Sequence, residues 1–285
     1  MRIHGEAYSP LMTGQGEPGS EDKGFYDTLF SGSAEDLHAR IRAEAFGEEI
    51  GQNSWLTADE HRRFFEWLEL GTESEVLEVA SGAGGPALFM VAETGCSVTG
   101  VDLHEDGVVA ANGAAAERGV EDRARFMQAD ARASLPFENG SFDAVLCIDS
   151  INHIYERAQL LSELWRVLRA EGRLLYTDPI VVTGMLRREE MIIRSGSMGE
   201  FVFTSPGTNE RLLADAGFVD VRTEDVTENM AKVASTWRES RERHADELEQ
   251  IEGAAARDSL QEFLGVVHLV ASERRLSRFA YVARC

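Results

Sequence analysis

The sequence of 285 residues has very little lysine and a large excess of acidic side chains. Only Lys23 and Lys232 are lysines among 28 basic residues, against 50 aspartates and glutamates, so the formal net charge is −22. Nucleic-acid binding depends on basic side chains that displace counterions from phosphates. The shortage of basic residues, with no basic stripe, therefore argues against a nucleic-acid partner.

Cysteine is also scarce, and its three positions form no closely spaced pair. Cys96 and Cys147 lie in apolar, strand-like runs, and Cys285 is the last residue. Disulfide frameworks and structural zinc sites need numerous or closely spaced cysteines. The sequence therefore predicts neither a disulfide nor a metal site, and it favours a reducing compartment such as the cytoplasm.

Long apolar runs are absent as well. No segment has the roughly 20 consecutive apolar residues that a membrane-spanning helix needs, and the N-terminus lacks the apolar core of a signal peptide. Residues 1–22 are instead rich in Gly, Ser, Glu and Pro and are predicted to form a flexible tail. These features favour a cytoplasmic protein with no membrane partner.

The central part of the chain alternates between strand-like and helix-like patterns. Strands are predicted at 76–79, 96–102, 125–129, 142–149, 173–178, 219–226 and 278–284. Helices are predicted at 106–118, 156–169, 209–216, 229–250 and 257–272. This alternation predicts an α/β fold with a doubly wound, mostly parallel seven-stranded sheet and right-handed crossovers.

Helical additions are predicted around a core of residues 72–227 and 273–285. Residues 23–71 are predicted to form an N-terminal helical cap, in which Thr57 and Glu60 make a capping box. Within the core, residues 180–207 suggest a lid or wall. Residues 228–272 are predicted to form a helical insertion over the substrate site.

The segment from Val76 to Ala87 carries the strongest functional signal. An apolar strand containing Glu78 turns at Gly82 and Gly84 and enters a helix at Pro86. A strand, a glycine-rich turn and a helix start together form a cradle for a nucleotide-like ligand. An ordinary turn with glycines for packing is the plainer alternative. The pattern also fits the dinucleotide fingerprint, so an NAD-dependent oxidoreductase is a further alternative.

Three acids stand at the ends of successive predicted strands: Asp102, Asp130 and Asp149. Asp102 lies 102 − 82 = 20 residues after Gly82, which is the spacing expected of an acid that binds ribose hydroxyls. A single aspartate of this kind is more often a solvated strand end. Three in register beside a glycine-rich turn favour a ligand site.

As an ordered set, the motifs between about residues 72 and 180 resemble those of the class I S-adenosylmethionine-dependent methyltransferases. The first motif is Glu78–Gly84, in which Ala80 stands where many members have glycine. The later motifs are Gly100–Asp102, Ala129–Ala131, Phe142–Val145 and Leu164–Leu175, the last with Ala170-Glu171 in place of Pro-Gly. The oxidoreductase alternative does not account for Glu78, Asp130 or the later motifs.

This resemblance implies a Rossmann-like methyltransferase fold with S-adenosylmethionine as cofactor. It implies that Gly82 and Gly84 run beside the methionine part, that Asp102 holds the ribose and that Asp130 holds the adenine amino group. It also implies that the main chain near Asp149 faces the sulfonium. The predicted cofactor-binding residues are Glu78, Ala80, Gly82, Gly84, Asp102, Leu103, Asp130, Ala131, Asp149, Gln52 and Trp55. Core packing is the alternative for Trp55.

His153 and Asp178 follow the fourth and fifth strands and resemble acceptor-side residues of small-molecule methyltransferases. Those relatives include antibiotic-sugar O-methyltransferases, and the segment around Asp178 also resembles sarcosine and dimethylglycine N-methyltransferases. His153 is the candidate general base, with packing against the next helix as the alternative. Asp178 is predicted to orient His153 or bind the acceptor, or else to form a turn with Pro179. Phe201, Phe203 and His268 are candidates for the substrate pocket, although His268 also suits a packed interior.

These observations predict a methyltransferase that moves a methyl group to an oxygen or nitrogen atom of a small-molecule acceptor. An NAD-dependent oxidoreductase and a non-catalytic S-adenosylmethionine-binding protein remain the alternatives. The sequence leaves open the acceptor itself and whether the protein is a homo-oligomer.

Overall fold

The computed structural model describes residues 35–196 and 201–285, so the predicted tail at 1–22 lies outside the described residues. Seven strands form one sheet: β1 (Glu75–Val79), β2 (Ser97–Asp102), β3 (Ala124–Gln128), β4 (Phe142–Cys147), β5 (Leu168–Val182), β6 (Val219–Asp225) and β7 (Leu276–Arg284). Their spatial order is β3-β2-β1-β4-β5-β7-β6. Strands β1 to β5 are parallel, and β7 runs antiparallel to both β5 and β6. The predicted mostly parallel, seven-stranded sheet is confirmed.

The direction of winding changes at β1. From β1 the chain moves outward to β2 and β3, and then returns to place β4 on the other side of β1. Glu78 in β1 is accordingly paired with Gly100 of β2 and with Leu146 of β4. Ligands of open α/β sheets bind beyond the carboxyl ends of the strands at such a switch point. The topology therefore directs attention to the residues that follow β1, β2 and β4.

Helices cover both faces of the sheet and extend beyond it. They are α1 (Glu35–Phe46), α2 (Ala58–Trp67), α3 (Gly85–Thr94), α4 (Glu105–Glu117), α5 (Arg157–Val167), α6 (Arg188–Gly196), α7 (Thr208–Ala216), α8 (Thr227–Arg243), α9 (Ala245–Glu252) and α10 (Ala254–Ser272). The helix predicted at 229–250 is divided at His244, which separates α8 from α9. Helix α5 ends at Val167, earlier than predicted, because Leu168 is extended and begins β5.

The helices outside the sheet share an apolar core of their own. Leu37 and Ile41 of α1 are buried in one cluster with Met230 of α8 and Leu264 of α10. Trp55 belongs to the same cluster. This packing joins the N-terminal helices to the helical insertion, because burying apolar surface in one shared core stabilises both.

The predicted capping box at the start of α2 is only half formed. Thr57 accepts a hydrogen bond from the backbone N–H of Glu60 at 3.3 Å, as predicted. The carboxylate of Glu60 does not return to Thr57; it turns inward and accepts from Arg278 at 2.7 Å. A buried guanidinium offers this carboxylate a charge-assisted bond, which is stronger than one to a backbone N–H.

Within the part of the chain that the structure describes, no helix has the length and apolar character needed to cross a membrane.

Candidate functional site

A cavity of about 370 Å³ lies beyond the carboxyl ends of β1, β2 and β4. Three parts of the chain meet there: the segment before α2, the strand ends, and the helical insertion with α6. Its lining includes Gly51, Ser54, Trp55, Glu78, Ala80, Gly82, Asp102, Leu103, Asp130, Ala131, Asp149, Asn152, His153, Arg194, Phe201, Trp237 and Phe263. The volume lies within the range of small-molecule sites.

The turn after β1 forms the floor of the cavity in a left-handed backbone conformation. Ala80 has φ of 59° and Gly82 has φ of 53°. Such a conformation is strained for any residue with a Cβ atom, and Ala80 is one of the few non-glycine residues of the described chain that adopt it. A Cβ atom at Gly82 would meet nothing within 4 Å, so its exposed backbone leaves room for a ligand.

Gly84 is not among the residues that line the cavity. A Cβ atom there would lie 2.8 Å from both the Ala111 Cβ and the Phe126 Cζ. Gly84 is therefore required for close packing of the turn against α4 and β3, and its place beside the cofactor stays a prediction.

Two buried carboxylates lie side by side at the cavity floor. Asp102 accepts from the backbone N–H of Gly82 at 2.8 Å and from that of His104 at 2.9 Å. These bonds leave further lone pairs on the carboxylate, which can accept from hydroxyl groups. Glu78 is 4 % exposed, and its Oε2 has no hydrogen-bond partner among the described residues.

Burial, together with a smaller contribution from the negative charge of Asp102, raises the pKa of Glu78 to about 8. At neutral pH the Glu78 carboxyl is consequently protonated for the most part. A ligand that carries positive charge and vicinal hydroxyls would compensate both acids. S-adenosylmethionine has both features, so these residues fit the predicted cofactor.

We expect cofactor binding to release a proton from Glu78 at pH 7, because a cationic ligand favours the ionised carboxylate. Affinity should then rise with pH up to about 8, where the carboxyl of the free protein is ionised without a ligand. Titration calorimetry in two buffers of different ionisation enthalpy measures the release. A Glu78→Gln variant should release no proton. Equal proton release from that variant would assign the titrating group to another residue.

Asp130 lies at the cavity edge, where its carboxylate is 36 % exposed. Both of its oxygens accept from the Arg132 guanidinium, at 2.8 Å each, and Oδ1 also accepts from the Arg132 backbone N–H. The Arg132 guanidinium holds the pKa of Asp130 below its usual value. An adenine amino group would have to share this carboxylate with Arg132 or displace it.

Residues 51–56, which we call the cavity strap, cross the cavity before α2. Trp55 is buried in this strap; its ring is stacked with Phe263 at 6.2 Å and meets Trp237 edge-on at 6.3 Å. Trp55 therefore packs in a core, which was the alternative for it, and also lines the cavity.

Gln52 of the cavity strap does not line the cavity. Its side chain is fully buried, accepts from the Ile50 backbone N–H at 2.9 Å and donates to the Glu48 carbonyl at 3.1 Å. Both ends of the amide are thus used to hold the local turn. These bonds give Gln52 a structural role, and its predicted contact with the cofactor stays a prediction.

Asp149 uses its side chain to anchor the strap. Its Oδ2 accepts from the Trp55 backbone N–H at 3.0 Å, and its Oδ1 accepts from Arg278 at 2.7 Å. The Thr177 hydroxyl donates to the same Oδ1 at 2.7 Å. The Asp149 carboxylate is therefore committed to protein groups.

The other end of the cavity is built from aromatic side chains around His153. The imidazole of His153 lies 4.7 Å from the Phe201 ring, measured between ring centroids. The buried Arg194 guanidinium lies 4.5 Å from the Phe201 ring and 5.0 Å from that of Phe263. The chemistry available here is that of a half-buried imidazole beside an apolar, aromatic wall.

Asp178 does not reach this cavity, contrary to expectation. It is fully buried, and its Oδ2 accepts from Arg157 at 2.6 Å, from Asn209 at 2.9 Å and from Thr204 at 3.0 Å. An acid with three buried partners forms a structural network. This network accounts for the burial of Asp178 without a role toward His153 or the acceptor. Its Oδ1 also accepts from the Ile180 backbone N–H at 3.2 Å, as in the turn with Pro179 that was the alternative.

Phe203 and His268 also lie away from the cavity lining. Phe203 packs against the cluster of Ile180, Val270 and Leu276. His268 is half-buried, and its Nδ1 lies 2.9 Å from the Ala231 carbonyl oxygen. Packing, which was the alternative for His268, describes its position.

The cavity residues that were not predicted from the sequence include Asn152, Arg194, Trp237 and Phe263. Asn152 is 1 % exposed, and neither atom of its amide has a hydrogen-bond partner among the described residues. It directly precedes His153, so the run of polar residues after β4 could have indicated that Asn152 lines the site. The other three lie on α6, α8 and α10, where helical periodicity does not distinguish a cavity wall from a core.

Residues 77–176 match the family model described as a methyltransferase domain. The chain is 37 % identical to methyltransferase GfsG of Streptomyces halstedii over 44 % of each chain. It is 28 % identical to 27-O-demethylrifamycin SV methyltransferase of Amycolatopsis mediterranei over 77 % of this chain and 83 % of the relative. It is 29 % identical to sarcosine/dimethylglycine N-methyltransferase of Halorhodospira halochloris over 81 % of this chain and 80 % of the relative.

The fold is similar to that of a solved N-methyltransferase. The structure of phosphoethanolamine N-methyltransferase 2 of Haemonchus contortus, in complex with S-adenosylhomocysteine, superposes with a TM-score of 0.75 at 22 % identity. The superposition covers 92 % of this chain but only 60 % of that protein. The predicted fold and the predicted cofactor are confirmed by these comparisons.

Proposed function

This chain belongs to the class I S-adenosylmethionine-dependent methyltransferases, and from that premise we propose that it transfers a methyl group to a small-molecule acceptor. The acceptor atom is an oxygen or a nitrogen. One observation carries the proposal: the acids of the cofactor cradle and the aromatic residues around His153 line the same cavity. Cofactor and acceptor can therefore meet without solvent between them.

S-adenosylmethionine, when bound, supplies an electrophilic methyl group that an acceptor displaces in line. The protein contributes alignment and a dry cavity more than covalent help. Glu78 and Asp102 provide negative charge and hydroxyl acceptors at the cofactor end. The rings of Trp55, Trp237 and Phe263 shield the cavity from water, since each of these residues is largely buried.

In this proposal His153 is the general base. A hydroxyl acceptor or a protonated amine must lose a proton to become nucleophilic. An imidazole nitrogen of His153 accepts that proton, because His153 lines the cavity directly after β4 and can be neutral near physiological pH. Asn152, with an unsatisfied amide in the same wall, is placed to bind a polar group of the acceptor.

Two relatives suggest probes for the acceptor. The names of the relatives specify an O-methylation of 27-O-demethylrifamycin SV and an N-methylation of sarcosine and dimethylglycine. We therefore propose a small-molecule acceptor whose methylated group is either a hydroxyl or an amine.

The first experiment is calorimetric titration of the purified protein with S-adenosylmethionine and, separately, with NADH. One site per chain with micromolar affinity for S-adenosylmethionine is expected, as is common for enzyme ligands. Transfer of a labelled methyl group to 27-O-demethylrifamycin SV, sarcosine or dimethylglycine would then demonstrate the reaction. Binding of NADH without binding of S-adenosylmethionine would contradict the proposal.

We also propose a cytoplasmic location and a protein without a nucleic-acid partner. Cys96, Cys147 and Cys285 are free thiols, which suits a reducing compartment. The net charge of −22 opposes association with phosphate backbones.

A further inference from the structure

We infer that Asn229 is a positioning residue for the cofactor end of the cavity, although it does not line the cavity itself. It lies in the first turn of α8, in the helical insertion. The inference rests on the proposed function, because it treats Trp55 as part of the wall beside the cofactor.

The main chain of Trp55 is held from both sides. Its N–H donates to the Asp149 carboxylate at 3.0 Å, and its carbonyl accepts from the Asn229 side-chain amide at 2.9 Å. Asp149 stands at the end of β4, whereas Asn229 belongs to the insertion. The peptide groups of this one residue therefore connect the sheet to the insertion across the cavity.

The sheet side of this connection is rigid. Asp149 is bonded to Arg278 of β7, and Arg278 is fully buried and bonded in turn to Glu60 of α2 at 2.7 Å. Buried charge-assisted bonds of this kind fix the positions of the groups that make them. Several bonds therefore fix the carboxylate that holds the strap on the sheet side.

On the insertion side, the hydrogen bond from Asn229 holds the strap main chain, while the Trp55 ring packs on Trp237 and Phe263. Residues 51–56 contain five that line the cavity: Gly51, Asn53, Ser54, Trp55 and Leu56. If the Trp55 carbonyl loses its donor, the strap main chain loses this bond and is held to the insertion by ring packing. The Trp55 ring, which stacks on Phe263 of α10, would then lose its fixed distance from the strand ends.

A second contact from α8 to the N-terminal helices provides a matched control. The Thr236 hydroxyl donates to the Ala45 carbonyl at 2.7 Å. Like Asn229, Thr236 is a half-buried side chain of α8 that bonds a backbone carbonyl. Thr236 and Ala45 are both absent from the cavity lining, so this bond stabilises the same interface without touching the strap.

The test compares Asn229→Ala and Asn229→Asp with Thr236→Val. Aspartate keeps the shape of asparagine but cannot donate to the Trp55 carbonyl when it is ionised. Calorimetry with S-adenosylhomocysteine should show affinity about 3- to 10-fold weaker for both Asn229 variants, as expected for one hydrogen bond. Thr236→Val should lower the melting temperature comparably and leave the affinity unchanged.

A double-variant comparison identifies the route of the effect. If Asn229 acts through the position of the Trp55 ring, Asn229→Ala should cause less than about a twofold further loss of affinity in a Trp55→Ala background. Additive losses would show that Asn229 acts by another route and would overturn the inference.

The remaining outcomes are also distinct. If the wild-type protein binds S-adenosylhomocysteine and both Asn229 variants bind it with the same affinity, the positioning role is overturned and the proposed function stays intact. Equal losses of affinity in the Asn229 and Thr236 variants would show general destabilisation of the insertion instead of positioning. A wild-type protein that binds no S-adenosylhomocysteine would overturn the proposed function and this inference together.

Discussion

An Asp102→Ala variant is expected to bind S-adenosylmethionine about 100-fold more weakly, or worse. The Asp102 carboxylate already accepts from two backbone N–H groups, of Gly82 and His104, and its remaining lone pairs are available to two ribose hydroxyls. Hydrogen bonds to a charged group contribute about 1.5–3 kcal/mol each. The loss of two such bonds corresponds to roughly 100- to 10,000-fold in affinity.

The loss should exceed the simple sum of ligand contacts, because Asp102 also holds the turn that carries Gly82. Asp143→Ala is the matched control. Asp143 likewise accepts from a backbone N–H, that of Glu75 at 2.9 Å, and lies away from the cavity lining. Asp143→Ala should lower stability and leave affinity unchanged. An unchanged dissociation constant in Asp102→Ala with an intact fold would make Asp102 an ordinary strand end.

His153→Ala is expected to reduce turnover by about 100- to 10,000-fold, which is the usual contribution of a general base. Cofactor affinity should change little, because His153 lies beside Phe201 at the acceptor end of the cavity. The rate of the wild-type enzyme should also fall at acidic pH, since a protonated imidazole cannot accept a proton. Initial rates of labelled methyl transfer, measured against pH with an acceptor that supports turnover, test both expectations.

His268→Ala is the control for loss of an imidazole, because His268 lies outside the cavity lining and its Nδ1 lies beside the Ala231 carbonyl oxygen within the insertion. It should retain turnover. Full turnover in His153→Ala would assign that residue to packing against Phe201. Catalysis would then depend on alignment alone, as expected for an acceptor that arrives already deprotonated.

Local sequence patterns were sufficient for most of the sheet and for the cofactor cradle. Apolar periodicity placed the seven strands, and the glycine pattern after β1 located the left-handed turn at Ala80 and Gly82. These features depend on residues that are near neighbours in the chain, so the backbone requirements of a few positions determine them. Asp102 could be predicted in the same way, because the carboxyl end of β2 lies at the same edge of the sheet as the turn after β1.

The pairing of polar side chains could not be read in this way. Asp178 and Asp149 both follow parallel strands, yet Asp178 binds Arg157 and Asn209 in the interior whereas Asp149 holds the strap and Arg278. Partners such as Arg278 and Asp149 are separated by 129 positions. Nothing in the spacing of an aspartate specifies which distant donor will reach it.

By itself, then, the sequence determined the α/β architecture, the glycine-rich turn and the acid at the end of β2. Those features follow from backbone geometry and from residues close together in the chain. Only the tertiary structure decided which acids face the cavity, that Gln52 and Asp178 are structural, and that Trp237 and Phe263 form its wall. The reason is physical: a buried polar group must be paired, and the nearest partner is set by the packing of distant elements.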